Sequence, residues 1–268
     1  MIPCEQAAFA AGIQVAQQAL AALFDRYDRA YVLFSGGKDS AALAHLCRPW
    51  QDRTTLLWVN ADAAPFMRDH VLRHRADFEV VELRPDRPMV ENWQEWGVPA
   101  DLVAVENLAT VGWREPKVQP WLSCCGVHRV QPAVTFMEGV RSPCPLLIGQ
   151  RTADGGGTVA GLASAFPAHI EVAMPLWSWT DAEVWTFVAE QGIRLHPHHA
   201  ECPTSIECVR CPANLSAEKL RLLDRLYPED AASARNAARY TLAATAAKAT
   251  EALAVLNGTG RAAREIRS

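Results

Sequence analysis

The chain has 268 residues, half of them hydrophobic, and a formal net charge of −4 at pH 7. This length supplies a sizeable core for one large α/β domain, alone or with a smaller helical part. The negative net charge argues against a strongly basic surface that would bind nucleic acid over its whole extent, but it is compatible with a local basic groove. No long apolar run and no signal-peptide pattern occur, so we expect a cytoplasmic protein without a membrane segment. Thiols stay reduced in that compartment, and the eight cysteines therefore predict metal or catalytic chemistry where they cluster.

The first 83 residues alternate between helix-like and strand-like segments. Helices are predicted over 6–27, 40–47 and 66–75, and strands over 31–34, 54–60 and 78–83. Strands that alternate with helices at this spacing predict an α/β fold built on a doubly wound, mostly parallel sheet.

The rest of the chain is less regular. Residues 84–123 carry four tryptophans and several prolines, and we expect a partly helical cover over the carboxyl edge of the sheet. Further helices are predicted over 126–138, 184–191, 215–226 and 231–256, and strands over 145–149 and 169–174. Thr180–Glu183 fits a capping box, and Ser216 fits a helix cap. We expect two domains, residues 1–213 with the sheet and 214–268 as a C-terminal helical extension.

The most informative segment is Ser35-Gly36-Gly37-Lys38-Asp39-Ser40, called the phosphate loop below. It lies between a predicted strand and a predicted helix, so its backbone N–H groups and the positive helix end point at one place. The glycines allow close approach, the lysine adds a positive charge and the serines add hydroxyl donors. The segment predicts a phosphate site, but it lacks the glycine spacing of a Walker A motif.

Four cysteines form two pairs, Cys124-Cys125 and Cys208-Val209-Arg210-Cys211. A C-x-x-C pair is a half-site for zinc or for an iron–sulfur cluster. Adjacent thiols at a helix start diverge by about 100°, which suits the corners of a cubane cluster better than one tetrahedral ion. We therefore favour a [4Fe–4S] cluster, with zinc and unligated or redox-active thiols as the alternatives. Cys202 is a candidate fifth participant.

Several segments together resemble the phosphoadenosine/adenosine phosphosulfate reductase family of the ATP-pyrophosphatase superfamily. They are the phosphate loop, residues 124–132, Gly149-Gln150-Arg151, residues 175–185 and residues 205–212, in the order of that family. The resemblance implies an adenine nucleotide alpha hydrolase-like fold and a [4Fe–4S] cluster held by Cys124, Cys125, Cys208 and Cys211.

Two departures from that family bear on the reaction. The reductases use a cysteine in a C-terminal segment, and this chain has none after Cys211. The reductases also usually show a degraded phosphate loop, whereas this loop is intact. These features favour cleavage of ATP to AMP and pyrophosphate for sulfur transfer, as in the phosphorothioation and tRNA-thiolation members of the superfamily. The alternatives are an adenylyl-sulfate reductase that uses Cys202 or a partner's thiol, and a non-catalytic subunit that binds nucleotide and cluster.

Each candidate residue has an expected role. The N–H groups of Gly36, Gly37 and Lys38 would hold pyrophosphate, and Lys38 would neutralise its charge. Asp39 would orient the loop or hold Mg²⁺ through water. Arg151 would bind the α-phosphate or an acidic acceptor, or else form a structural ion pair. Asp62 would be a ribose or metal contact, or a turn residue.

Histidines and basic residues add further expectations about partners. His196, His198 and His199 lie in a proline-containing loop, where a solvated or substrate-facing role is favoured over a metal site. Six basic residues between 210 and 239 line either a nucleic-acid groove or a solvated helix face. The expected partners are ATP or adenylyl sulfate, a desulfurase-like or thioredoxin-like sulfur donor, and a nucleic acid.

Overall fold

A parallel five-stranded sheet is the main feature of the fold. The computed structural model describes residues 3–100, 118–154, 164–203 and 206–257. The strands are β1 (Ala30–Leu33), β2 (Thr54–Val59), β3 (Glu79–Leu83), β4 (Val98–Ala100), β5 (Val118–Pro120), β6 (Cys144–Ile148) and β7 (Ile170–Ala173). The large sheet has the order β3-β2-β1-β6-β7, and each neighbouring pair is parallel. The predicted α/β class and parallel sheet are confirmed.

Helices follow most of the strands. They are α1 (Pro3–Arg26), α2 (Lys38–Leu46), α3 (Pro65–Leu72), α4 (Met89–Trp96), α5 (Trp121–Cys125), α6 (Gln131–Gly139), α7 (Asp181–Glu190), α8 (Ala217–Leu226) and α9 (Pro228–Leu256). A π-helical stretch, Gly126–Val130, precedes α6. The capping box predicted at Thr180 is present with both reciprocal hydrogen bonds, and Ser216 accepts from the Lys219 N–H as a cap.

Both faces of the large sheet are buried, as its parallel strands require. Val32 of β1 and Trp58 of β2 pack on one face with residues of α1, α2 and α7. Leu57 and Leu146 pack on the other face with Met137 of α6. Alternate residues of each strand therefore serve opposite cores, which explains why β1, β2 and β6 are nearly continuous apolar runs in sequence.

The chain forms two compact units. Unit 1 comprises Met1–Asp86 and Gly126–Glu207, and unit 2 comprises Arg87–Cys125 and Cys208–Ser268. The sequence predicts two independent domains that meet at residue 213. The two compact units do not test whether such domains exist, so this division stays a prediction. The large sheet and the phosphate loop belong to unit 1.

Unit 2 combines a short parallel pair, β4 with β5, and the helices α4, α5, α8 and α9. Ala100, Val118 and Ala244 are buried together. The buried Gln119 amide donates to Asn92 Oδ1 at 2.8 Å and to the Gly97 carbonyl at 2.6 Å, which fixes the turn between α4 and β4. Throughout the described ranges, no helix combines the length and the apolar character needed to cross a bilayer.

Candidate functional site

The phosphate loop lies where the direction of the sheet's chain order reverses. β1 pairs with β2 on one side and with β6 on the other, and Leu33 is the register partner of Ile148. Ser35 and Gly149 therefore follow neighbouring strand ends. The carboxyl edge of an open α/β sheet at such a reversal is the usual position of a ligand crevice.

The loop is closed by its own hydroxyl groups. Ser40 Oγ accepts from the Ser35 N–H at 3.2 Å and donates to the Gly37 carbonyl at 3.0 Å. Gly36 has φ of +77°, a conformation that favours glycine, and a Cβ there would lie 3.2 Å from side chains of α3. Gly37 is the N-cap of α2 and makes no side-chain cap hydrogen bond. The first turn of α2 thus presents N–H groups that no side chain caps.

Gly149 allows the segment after β6 to approach the loop. A Cβ at this position would lie 3.0 Å from the Asp39 carbonyl carbon and 3.1 Å from the Ser40 nitrogen. Both are backbone atoms, so no side-chain rotation would relieve the contact. The close approach brings Arg151 alongside the first turn of α2.

Two cations and three carboxylates form a network at this junction. Lys38 Nζ lies 2.8 Å from Asp39 Oδ2 and 2.9 Å from Asp181 Oδ1. The Arg151 guanidinium lies 2.9 Å from Asp39, 2.6 Å from Asp154 and 3.2 Å from Asp181. The hydrogen bond from Lys38 lowers the pKa of Asp181. The charge that would meet a phosphate is therefore balanced by carboxylates of the protein.

Arg151 is the most buried charged group of the network, with 4% of the residue exposed. Its Nε lies close to Asp39 without the direction of a hydrogen bond, and its Nη1 has no hydrogen-bond partner within the described part of the chain. A buried donor without an acceptor costs free energy. The arrangement thus leaves donor capacity for an acceptor that the protein does not supply, and an anion beside Lys38 would provide it.

A cleft of unit 1, the loop cleft, opens beside these groups. It is lined by Ser35, Gly37, Lys38, Asp39, Met67, Arg129, His196, His199, Pro203, Ile206 and Glu207. Arg129 forms an ion pair with Glu207 on one wall. His196 is buried, and its Nδ1 has no hydrogen-bond partner among the described residues. Burial, together with the rings of His199, His70 and His198, lowers the pKa of His196 to about 4. A neutral imidazole therefore faces the cleft at neutral pH.

The structure brings most of the predicted loop residues together, although their roles stay predictions. Asp39 and Arg151 are in direct contact, and Ser35 to Ser40 form one turn. Asp62 is half-buried in the turn after β2 and does not line the loop cleft. His196 and His199 line the cleft, which agrees with a substrate-facing loop rather than a solvated one.

Sequence reasoning missed Asp154 and Asp181 as members of the network. Asp154 follows Arg151 by three residues on a 3₁₀ turn, where such a pair is a common local contact. Asp181 was recognised only as part of a capping box. Its acidic position in the first turn of α7 is typical of any helix start, so no local signal distinguishes its contact with Lys38.

The four predicted cluster ligands all belong to unit 2. Cys124, Cys208 and Cys211 are buried, and the Cys211 N–H donates to the Cys208 carbonyl at 3.0 Å, which makes a tight turn. The pKa of Cys124 is raised to about 12, mainly by burial, and the thiols of Cys125 and Cys211 contribute to this shift. Cys211 is thus near enough to Cys124 to affect its pKa. No group of three or more Cys, His, Asp or Glu side chains is arranged around a metal position in the described ranges.

A buried lysine lies against the C-x-x-C turn. Lys219 has no exposed surface, and its Nζ donates to the carbonyls of Cys208 (3.1 Å) and Asn214 (2.9 Å). Cys208 has φ of +54°, a strained conformation for a residue with a Cβ. The hydrogen bond from Lys219 to the Cys208 carbonyl therefore helps to hold Cys208 in this unfavourable backbone conformation.

The basic residues predicted to line a groove after residue 210 are largely neutralised. Arg210, Arg221 and Arg235 form ion pairs with Asp230, Glu218 and Asp224, respectively. With Lys219 buried, this segment presents much less positive charge than its sequence indicates.

Comparison with known proteins identifies the family. No curated protein matches the chain in sequence. Among solved structures, it is similar to phosphoadenylyl-sulfate (PAPS) reductase from Candida auris, a phosphate complex, at 14% identity over 70% of this chain and 85% of that chain, with a TM-score of 0.46. The U34-tRNA thiolase NcsA from Methanococcus maripaludis, solved with its [4Fe-4S] cluster, is similar at 17% identity over 86% and 79% of the two chains (TM-score 0.41). The NH3-dependent NAD synthetase from Campylobacter jejuni is similar at 15% identity over 87% and 93% (TM-score 0.46). The family model of the phosphoadenosine phosphosulfate reductase domain matches residues 29–214, and the chain belongs to that family.

Proposed function

We propose that the protein cleaves ATP to AMP and pyrophosphate and thereby activates an acceptor for sulfur transfer. The observation that carries this proposal is the convergence of the intact phosphate loop with Arg151, which is buried and retains a guanidinium nitrogen without an acceptor among the described residues. An uncapped helix start, Lys38 and Arg151 supply three kinds of anion-binding group at one point.

The chemistry follows from where charge develops. An acceptor oxygen attacks the α-phosphorus, the bond between the α-phosphorus and the bridging oxygen breaks, and pyrophosphate leaves with the electron pair. Loop N–H groups and Lys38 stabilise the charge on pyrophosphate, and Arg151 stabilises the α-phosphoryl group. A sulfur nucleophile from a donor then attacks the acceptor atom that carries the adenylated oxygen, and AMP departs with that oxygen. Asp39, in the first turn of α2, would hold Mg²⁺ through water, and the ion would disperse phosphate charge.

Asp181 has a role before ATP binds. Its carboxylate contacts both Lys38 and Arg151, so it occupies the place of an anionic ligand. With 60% of its side chain exposed, it is free to turn towards solvent when a phosphate displaces it. The network therefore keeps the two cations oriented in the absence of nucleotide.

The cysteines of unit 2 would hold a [4Fe–4S] cluster. Four thiols, three of them on buried residues, are the donor set that such a cluster requires, and the proximity of Cys124 to Cys125 and Cys211 agrees with it. Cys124, Cys125, Cys208 and Cys211 would be the ligands. When bound, the cluster would supply an iron site that carries or positions sulfur.

Adenylyl-sulfate reduction through Cys202 is the main alternative. Cys202 is fully buried, whereas an attacking thiolate needs access to its substrate. Burial therefore favours ATP cleavage over this alternative. Sulfite release from adenylyl sulfate that disappears in Cys202→Ser would instead support the reductase.

Two variants in one anaerobic preparation test the proposal. Lys38→Ala should abolish release of AMP and pyrophosphate while the iron and sulfide content stays unchanged. Cys208→Ser should lose iron while nucleotide binding persists. ATP cleavage that persists in Lys38→Ala would contradict the role of the loop, and wild-type protein without iron or acid-labile sulfide would contradict the cluster. Bound ATP that stays intact with every acceptor tested would favour a non-catalytic subunit.

A further inference from the structure

A second cleft of unit 1, the basic cleft, lies along α2. Its charged and imidazole-bearing lining residues are Arg48, Arg73, Arg194, His45, His70, His74 and Asp77, and Ala41 and Ala44 form part of its floor. The two alanines lie one turn apart on α2, and their small side chains leave the space that the cleft occupies. Arg48, Arg73 and Arg194 belong to three different segments, which follow α2, α3 and α7.

The arginines of the basic cleft are only partly neutralised. Arg48 pairs with Asp77 at 2.9 Å, and Asp77 is the one carboxylate among the described lining residues. Arg73 and Arg194 are exposed and form no ion pair within the described residues. This contrasts with unit 2, where Arg210, Arg221 and Arg235 each have a carboxylate partner.

The guanidinium groups lie near enough to neighbouring imidazoles to affect their pKa values. Burial is the main cause of the lowered pKa of His70, and Arg73 and Arg194 lower it further. Arg48 similarly contributes to the lowered pKa of His45, after burial. The guanidinium groups therefore act on the same small region, in a chain whose net charge is −4.

We propose that the basic cleft binds phosphates of a nucleic-acid backbone. Exposed guanidinium groups on separate segments can contact successive phosphates, whereas a site for a single small anion would enclose it among buried donors. The α2 residues that line the cleft extend from Ala41, directly after the phosphate loop, to His45, about 6 Å along the helix. A polymer held there has its neighbouring nucleotides near the loop, and this part of the inference rests on the proposed function, with nucleic acid as the acceptor.

Anisotropy titrations with labelled 20-nucleotide single-stranded RNA and DNA, at several KCl concentrations, test the cleft. The wild-type protein is compared with Arg73→Gln/Arg194→Gln and with the control Arg26→Gln/Arg87→Gln. The control removes the same charge from arginines that are paired with Glu171 and Glu95. Loss of two phosphate contacts should weaken binding about tenfold and reduce the slope of log K against log [KCl] by about 1.4. The control should change the affinity less than twofold.

The outcomes separate this inference from the proposed function. If the oligonucleotide affinity and salt slope of Arg73→Gln/Arg194→Gln match those of the control, the basic cleft is not the binding site. Complete displacement of the oligonucleotide by millimolar inorganic phosphate at constant ionic strength would assign the cleft to a small anion and overturn the proposal. If ATP is not cleaved but oligonucleotide binding depends on the two arginines, the proposed function is wrong and the basic cleft is still a nucleic-acid site. If ATP is cleaved and oligonucleotide binding does not depend on the arginines, the proposed function is supported and the basic cleft is not the nucleic-acid site.

Discussion

Replacement of Gly149 by alanine tests whether the site depends on close approach of two backbone segments. The new Cβ would lie 3.0 Å from the Asp39 carbonyl carbon, against 3.4 Å for the start of ordinary van der Waals contact. Relief of this contact needs a shift of about 0.4 Å between the segment after β6 and the start of α2. Because the neighbouring atoms are backbone, the shift must move the phosphate loop or Arg151.

The expected cost has two components. Overpacking of this kind costs about 1–3 kcal/mol of unfolding free energy. Since a misplacement of 1 Å can cost about a hundredfold in rate, a shift of this size should lower kcat/KM for ATP cleavage about tenfold. Urea unfolding measures the first quantity, and the rate of AMP release measures the second.

Gly139→Ala is the matched control. Apart from its chain neighbours and the backbone of its own helix, no atom of the described residues lies within 4 Å of a Cβ at Gly139, which ends α6 and has no left-handed φ. Alanine there should leave ATP cleavage unchanged and keep or slightly raise stability. If Gly149→Ala behaves like this control in both assays, the close approach at the loop is not what positions the site.

Four further variants test other parts of the site and the fold. Asp181→Asn removes the carboxylate that competes for Lys38 and should tighten binding of a non-hydrolysable ATP analogue about twofold to fivefold by calorimetry; unchanged or weaker binding would contradict the competition. His70 and His196 have pKa values of about 4 in the folded protein, below the ordinary 6.5, so the unfolded chain binds protons first as the pH falls. Each histidine should lower the free energy of unfolding by about 2 kcal/mol between pH 8 and pH 5. His70→Gln or His196→Gln should therefore flatten the plot of this free energy, measured by urea unfolding, against pH. An equally steep plot would refute the burial of neutral imidazoles. Lys219→Met removes the hydrogen bonds to the Cys208 and Asn214 carbonyls and should destabilise the metal-free protein by about 1–3 kcal/mol, and unchanged stability would refute its role at the turn.

The sequence was sufficient to predict features that depend on local chemistry. The phosphate loop follows from its glycines between a strand and a helix, and the caps at Thr180 and Ser216 follow from their side chains. The parallel sheet follows from alternating segments, since buried parallel strands leave an unmistakable apolar run. These are interactions within a few residues, or patterns that repeat along the chain.

Contacts that depend on the order of strands were not predictable from one sequence. Arg151 meets Asp39 only because β6 lies next to β1, and Asp181 joins them from a third segment. Arg73 and Arg194 are far apart in sequence and come to line one cleft only through the packing of helices beside the sheet. The neutralisation of arginines after residue 210 likewise required the positions of their carboxylate partners.

The products formed from ATP test the central claim most directly. Phosphorus NMR of the anaerobic protein with magnesium, ATP and a nucleic-acid acceptor should show AMP and pyrophosphate in equal amounts. Neither product should form when Lys38 is replaced by alanine. Release of ADP and orthophosphate, or intact ATP alongside reduction of adenylyl sulfate to sulfite, would contradict the account.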